Sequence, residues 1–114
     1  MNWTPLTEST QLEEVDARSA EKPVLIFKHS TRCNISSAAL GRLERAWTEA
    51  DDAAHTTYFL DLLKHRDISD AIAARYGVEH GSPQALVIRN GECVEHSAHF
   101  GITYKELLSS LSKA

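Results

Sequence analysis

Val24-Leu25-Ile26-Phe27-Lys28-His29-Ser30-Thr31-Arg32-Cys33-Asn34-Ile35-Ser36 is the stretch on which the reading of this chain turns. Its first four residues form a continuous apolar run after Lys22-Pro23, the pattern of a strand buried on both faces. From Cys33 onward, Ile35, Ala39, Leu43, Trp47 and Ala50 keep one side of a helix apolar, and Ser30 or Thr31 is available to cap it. A central strand thus runs through a short polar loop into a helix, and Cys33 stands at the junction.

Working outward, Thr57-Tyr58-Phe59-Leu60 has the aromatic and β-branched content of a second strand, reached by a parallel, right-handed crossover. Asp67 is placed to cap a helix with Ile68, Ala71, Ile72 and Tyr76 on one face, and Gly77 supplies its left-handed stop. Past Gly81-Ser82-Pro83-Gln84, the segments Ala85–Ile88 and Glu92–His96 flank Asn90-Gly91, a strong signal for a tight antiparallel hairpin. Thr103 and Glu106 form a capping box for a last helix carrying Tyr104, Leu107, Leu108 and Leu111 to the C-terminus. Upstream, Leu12 and Val15 suggest a short first helix, and Trp3–Leu6 an edge strand. The order resembles the thioredoxin-like α/β arrangement, a mixed central sheet flanked by helices, in one domain over residues 1–114.

Composition narrows the function classes. The 114 residues include 42% hydrophobic and 25% charged residues, which suits a globular domain and rules out disorder, collagen and coiled coil. With 12 Lys and Arg against 16 Asp and Glu, the formal charge is −4, and the nearest thing to a basic patch is Lys64-His65-Arg66. That is too little for an electrostatic platform, so neither nucleic acid nor a membrane surface is an expected partner. No apolar run approaches a membrane span and the start lacks a signal-peptide pattern, which makes the cytoplasm the default compartment. Two cysteines, Cys33 and Cys93, are too few for a disulfide framework and too far apart in sequence for a zinc knuckle, so each is expected to be a thiol. The six His (His29, His55, His65, His80, His96, His99) show no metal-ligand spacing, and no metal site is expected.

Cys33 is the candidate nucleophile. A thiolate, not a thiol, attacks a disulfide, and the unpaired amides of a helix start stabilise that charge. Arg32 adds positive charge beside it. Ser36 stands where a dithiol enzyme has its resolving thiol: its hydroxyl is placed to donate to the thiolate but cannot resolve a mixed disulfide. Cys33-Asn34-Ile35-Ser36 is therefore a monothiol motif, which must pass any group it accepts to an external thiol.

Lys28 to Ser36, followed by Ser82-Pro83-Gln84 and by His96 to Thr103, resembles the monothiol bacilliredoxins, the YtxJ-type proteins of the bacillithiol system. The resemblance runs from about Lys22 to Thr103. It implies a thioredoxin fold and a thiol-disulfide oxidoreductase that removes bacillithiol from mixed disulfides on cytoplasmic proteins, with bacillithiol as co-substrate and no bound cofactor. It also implies a cis bond before Pro83 facing the nucleophile, leaving the Ser82 backbone free to pair with an extended substrate. Family members usually have Pro after the cysteine, where this chain has Asn34. Relative to thioredoxins proper, Phe27 replaces the buried acid and Arg32 the aromatic residue before the nucleophile.

Thr31, Asn34, Ser82, Pro83, His29 and His99 are the expected substrate-facing residues, with Cys33, Ser36 and Arg32 as the catalytic set. His29 ends the central strand and His99 follows from hairpin register. Pairing Arg89 with Glu92 and Ile88 with Cys93 puts position 98 opposite Pro83 and His99 just beyond it. The same register sets Cys93 five residues, roughly 16 Å, from the site end, too far for a disulfide with Cys33. Two other functions share the pattern: a glutaredoxin-like monothiol iron–sulfur cluster carrier, and a non-catalytic thioredoxin-fold peptide-binding module.

Overall fold

The computed structural model describes residues 1–112. Its elements are β1 (Thr4–Pro5), α1 (Gln11–Ser19), β2 (Val24–His29), α2 (Asn34–Ala46), α3 (Glu49–Ala54), β3 (Thr56–Asp61), α4 (Arg66–Tyr76), β4 (Gln84–Arg89), β5 (Glu92–Ala98), a 3-10 turn (His99–Gly101) and α5 (Tyr104–Leu111). Five strands form one sheet in the order β1-β3-β2-β4-β5, with β1, β3 and β2 parallel and β4 and β5 antiparallel.

The apolar run behaves as the sequence reading requires. Every residue of β2 is buried, because helices cover both faces of the sheet. Val24 and Ile26 join Leu12, Val15, Ile68 and Ile72 on the α1 and α4 side. Leu25 and Phe27 join Ala39, Leu43, Leu107 and Leu111 on the α2 and α5 side. Each element thus supplies one apolar stripe, and β2 supplies two.

Four local expectations are corrected. The helix after Cys33 stops at Ala46, and Ala50 is exposed in the separate α3. Thr48 accepts from Asp51 N and Asp51 accepts from Thr48 N, a capping box that starts a new helix and overrides the continuing apolar period. Neither Ser30 nor Thr31 caps α2, whose N-cap is Cys33 itself with no side-chain bond to the helix. His65, not Asp67, is the N-cap of α4, and Asp67 lies in its first turn. Finally, the hairpin starts in the expected register but carries a bulge between Val87 and Ile88, so Ala98 pairs with Gln84 instead of Pro83. The bulge advances β5 by one residue, and His99 N donates to Pro83 O at 3.1 Å.

Asn90 and Gly91 both hold positive φ, 52° and 76°, as a two-residue hairpin turn demands. Gly77 ends α4 at φ 65°. Thr103 caps α5 by accepting from Glu106 N at 3.3 Å.

Candidate active site

The site lies where β2 ends. His29 finishes the strand, Ser30 to Arg32 turn the chain, and Cys33 N donates to Ser30 O at 3.1 Å, which folds the cysteine back to the mouth of α2. As N-cap, Cys33 stands over first-turn amides that have no intrahelical partner, so the local field favours negative charge on its sulfur. The residue is half-buried: sheltered, yet open to a reagent. Thr31, Arg32 and Asn34 surround it as exposed side chains.

Ser36, one turn along α2 from Cys33, has its hydrogen-bond partners at the end of β2. It is fully buried, its Oγ lies 2.7 Å from His29 Nδ1, and it accepts from Ser30 N at 3.1 Å. The hydroxyl therefore ties the first turn of α2 to the end of β2, fixing the loop that carries Cys33. His29 is itself buried, 6.3 Å from Phe27 and 5.5 Å from Phe59 between ring centroids. Burial holds His29 below the ordinary histidine range, with Asp61 and Glu44 pulling the other way, which favours the neutral ring.

Across the sheet, Lys28 pairs with Gln84, which brings Pro83 to the level of His29 at the same end. The Ser82–Pro83 peptide is cis. His99 follows at φ 55°, in the left-handed region, on the 3-10 turn that packs against α2. Cys33, Ser36, His29, Ser82, Pro83 and His99 therefore share one end of the sheet. Cys93 is at the other: it pairs with Ile88, which pairs with Val24 at the start of β2. Burial pushes the Cys93 thiol up, and its Sγ donates to Glu95 O at 3.2 Å.

One polar cluster, buried except at His80, leaves no sign in the sequence. Lys28 and Gln84 lie inside the two quoted motifs, yet nothing in their spacing marks them as partners. Lys28 is fully buried with Nζ donating to Ser69 O at 3.2 Å, and Ser69 Oγ lies 3.0 Å from His80 Nδ1. Their position in adjacent strands and on α4 becomes visible only once the sheet is assembled.

A half-buried cysteine at a helix N-terminus, at the carboxyl end of a central strand of this mixed sheet, defines a thioredoxin-fold thiol protein. Residues 4–107 match the family described as monothiol bacilliredoxin BrxC, and the chain belongs to that family. It is also similar to a solved structure described as an oxidoreductase with a thioredoxin fold: 32% identity, TM-score 0.79, 95% of this chain and 92% of the other covered. Thioredoxins share the fold at lower identity. The Malassezia sympodialis protein is 17% identical with TM-score 0.71 over 95% of this chain and 86% of its own. The Fasciola hepatica protein is 15% identical with TM-score 0.71 over 95% of each chain. Family and fold together support a thiol oxidoreductase-like role.

Proposed function

We propose that this protein removes bacillithiol from mixed disulfides on cytoplasmic proteins by a monothiol mechanism centred on Cys33. The observation that carries the reading is the half-buried Cys33 at the start of α2 with the Ser36 hydroxyl, not a second thiol, one turn on. In the first step the Cys33 thiolate attacks the bacillithiol sulfur of the substrate disulfide. The old S–S bond breaks, the protein thiolate leaves and takes a proton from water, and Cys33 is left bacillithiolated. In the second step the thiolate of another bacillithiol attacks the bacillithiol sulfur of that adduct. Bacillithiol disulfide leaves and the Cys33 thiolate returns.

The surrounding residues have distinct parts in this reading. Amides at the α2 N-terminus stabilise the sulfur in its anionic states, as nucleophile and as leaving group. Arg32, Thr31 and Asn34 flank the incoming low-molecular-weight thiol, with Arg32 supplying positive charge toward it. Ser36 and His29 act indirectly, holding the Cys33 loop against β2. The Ser82 backbone beside Pro83 pairs with the extended protein substrate, and His99 borders that groove.

The test uses a purified protein carrying one bacillithiol on a surface cysteine. Loss of the adduct mass is followed with excess bacillithiol present. The wild type is expected to accelerate release, and Cys33→Ser to match the rate without enzyme. Equal rates for wild type and Cys33→Ser would remove Cys33 from the mechanism.

A further inference from the structure

The segment 79–82, just before Pro83, has no backbone–backbone hydrogen bond outside helices and strands among the described residues. Side chains hold it instead. Gln84 Nε2 donates to Glu79 O at 2.9 Å, and the His80 ring is bonded to Ser69 Oγ at 3.0 Å. Ser69 is 1% exposed on α4, and its carbonyl accepts from Lys28 Nζ at 3.2 Å. Lys28 and Gln84 are cross-strand partners. One connected set of polar side chains therefore runs from β2 through α4 to the loop, and from β4 to the same loop.

Such a network is an expensive way to fill space. Burying an ammonium costs free energy that an apolar residue of equal volume avoids. Two members are also incompletely satisfied: Gln84 Oε1 is buried without a hydrogen-bond partner, and Lys28 makes only one of three possible donations among the described residues. Packing alone does not account for this set, but its position does. It converges on the four residues that end at Ser82, beside the Cys33 end of the sheet.

We propose that Lys28, Ser69, His80 and Gln84 are positioning residues that fix segment 79–82 as a preformed edge for the protein chain bearing the mixed disulfide. The inference rests on the function proposed above and assigns this network to affinity for the polypeptide, leaving reactivity to Cys33 and the α2 terminus. A fixed backbone edge binds an extended chain without an ordering penalty, whereas a loose one loses affinity before any chemistry occurs.

The test compares the wild type with Ser69→Ala, His80→Leu and His80→Asn, the last returning a polar atom near the Nδ1 position. With a bacillithiolated peptide as substrate, Ser69→Ala and His80→Leu are expected to raise KM about tenfold with kcat little changed. Alkylation of Cys33 by iodoacetamide should stay at the wild-type rate, and His80→Asn should restore KM. Backbone relaxation gives a readout independent of turnover: order parameters for residues 79–82 should fall from about 0.85 in the wild type to below about 0.6 in His80→Leu. Unchanged order parameters, or alkylation slowing in step with turnover, overturn the positioning role. A wild type that fails to turn over the peptide defeats the function proposed above, and the relaxation comparison still decides on the network.

Discussion

Replacing Lys28 by Met should make the protein more stable while weakening its use of protein substrates. Lys28 is fully buried, and burial brings its ammonium down from 10.5 to about 8, against the opposing pull of Asp70. At about 1.4 kcal/mol per unit, the charged side chain costs the folded state about 3 kcal/mol relative to the amine. Met keeps the length of the stem and loses the bond to Ser69 O, worth about 1 kcal/mol. That carbonyl lies inside α4 and keeps its helical partner, so no orphan is left. The net gain at pH 7 is about 2 kcal/mol, or roughly 6–12 °C in Tm for a chain of this size. The sign with pH is definite: between about 8 and 10.5 the unfolded chain holds the Lys28 proton that the folded chain has released, so wild-type stability rises with pH through this window. The advantage of the Met variant should therefore be full below pH 8 and shrink toward pH 10.5. Urea titrations of both proteins at pH 7 and pH 10 measure it. A Met variant less stable than wild type at pH 7, or a difference that does not shrink with pH, refutes the reasoning.

Ser36→Ala should cost about 1–3 kcal/mol, because it strips the partner from the Ser30 amide and from His29 Nδ1, both buried; a urea midpoint equal to wild type would contradict the tie between α2 and β2. Acid should destabilise the fold through His29, His55 and His80, all held below 6.5 chiefly by burial. The unfolded chain takes up these protons first, so the stability they confer is complete above about pH 6.5 and is lost as pH falls through the lowered values. His55→Phe, which keeps an aromatic edge on Trp47, should remove part of that slope in Tm against pH; an unchanged slope would clear His55.

The elements that could be read from the sequence are those whose cause is local. The apolar run of β2, the Asn90-Gly91 turn and Gly77 behind α4 each carry their own reason within a few residues, and Cys33 inherits its place from the first. What could not be read depends on competition or assembly. Apolar periodicity runs through Trp47 to Ala50, but the capping box at Thr48 and Asp51 is stronger and splits the helix; that signal was present in the Thr-x-x-Asp spacing. The bulge beside Val87 leaves no mark in the alternation of β5, whose polar face is solvated, so counting from the turn alone puts His99 one residue out of register. The separation of Ser36 from Cys33 points only to the sulfur, and the buried imidazole and amide that also meet its hydroxyl appear only in the folded chain. Nothing in the sequence around Lys28 marks it for burial; only the closed sheet shows it beneath α4.

Intact-protein mass spectrometry tests the monothiol mechanism most directly. The reduced protein is mixed with a bacillithiolated substrate protein, sampled during turnover, and digested to locate the adduct. A single bacillithiol on Cys33 is expected, with Cys93 free, and Cys93→Ala should turn over like the wild type, since Cys93 is level with Val24, roughly 16 Å along β2 from the His29 end that leads to Cys33. An intramolecular Cys33–Cys93 disulfide formed without denaturant, and lost together with turnover in Cys93→Ala, would show a dithiol enzyme and contradict the account.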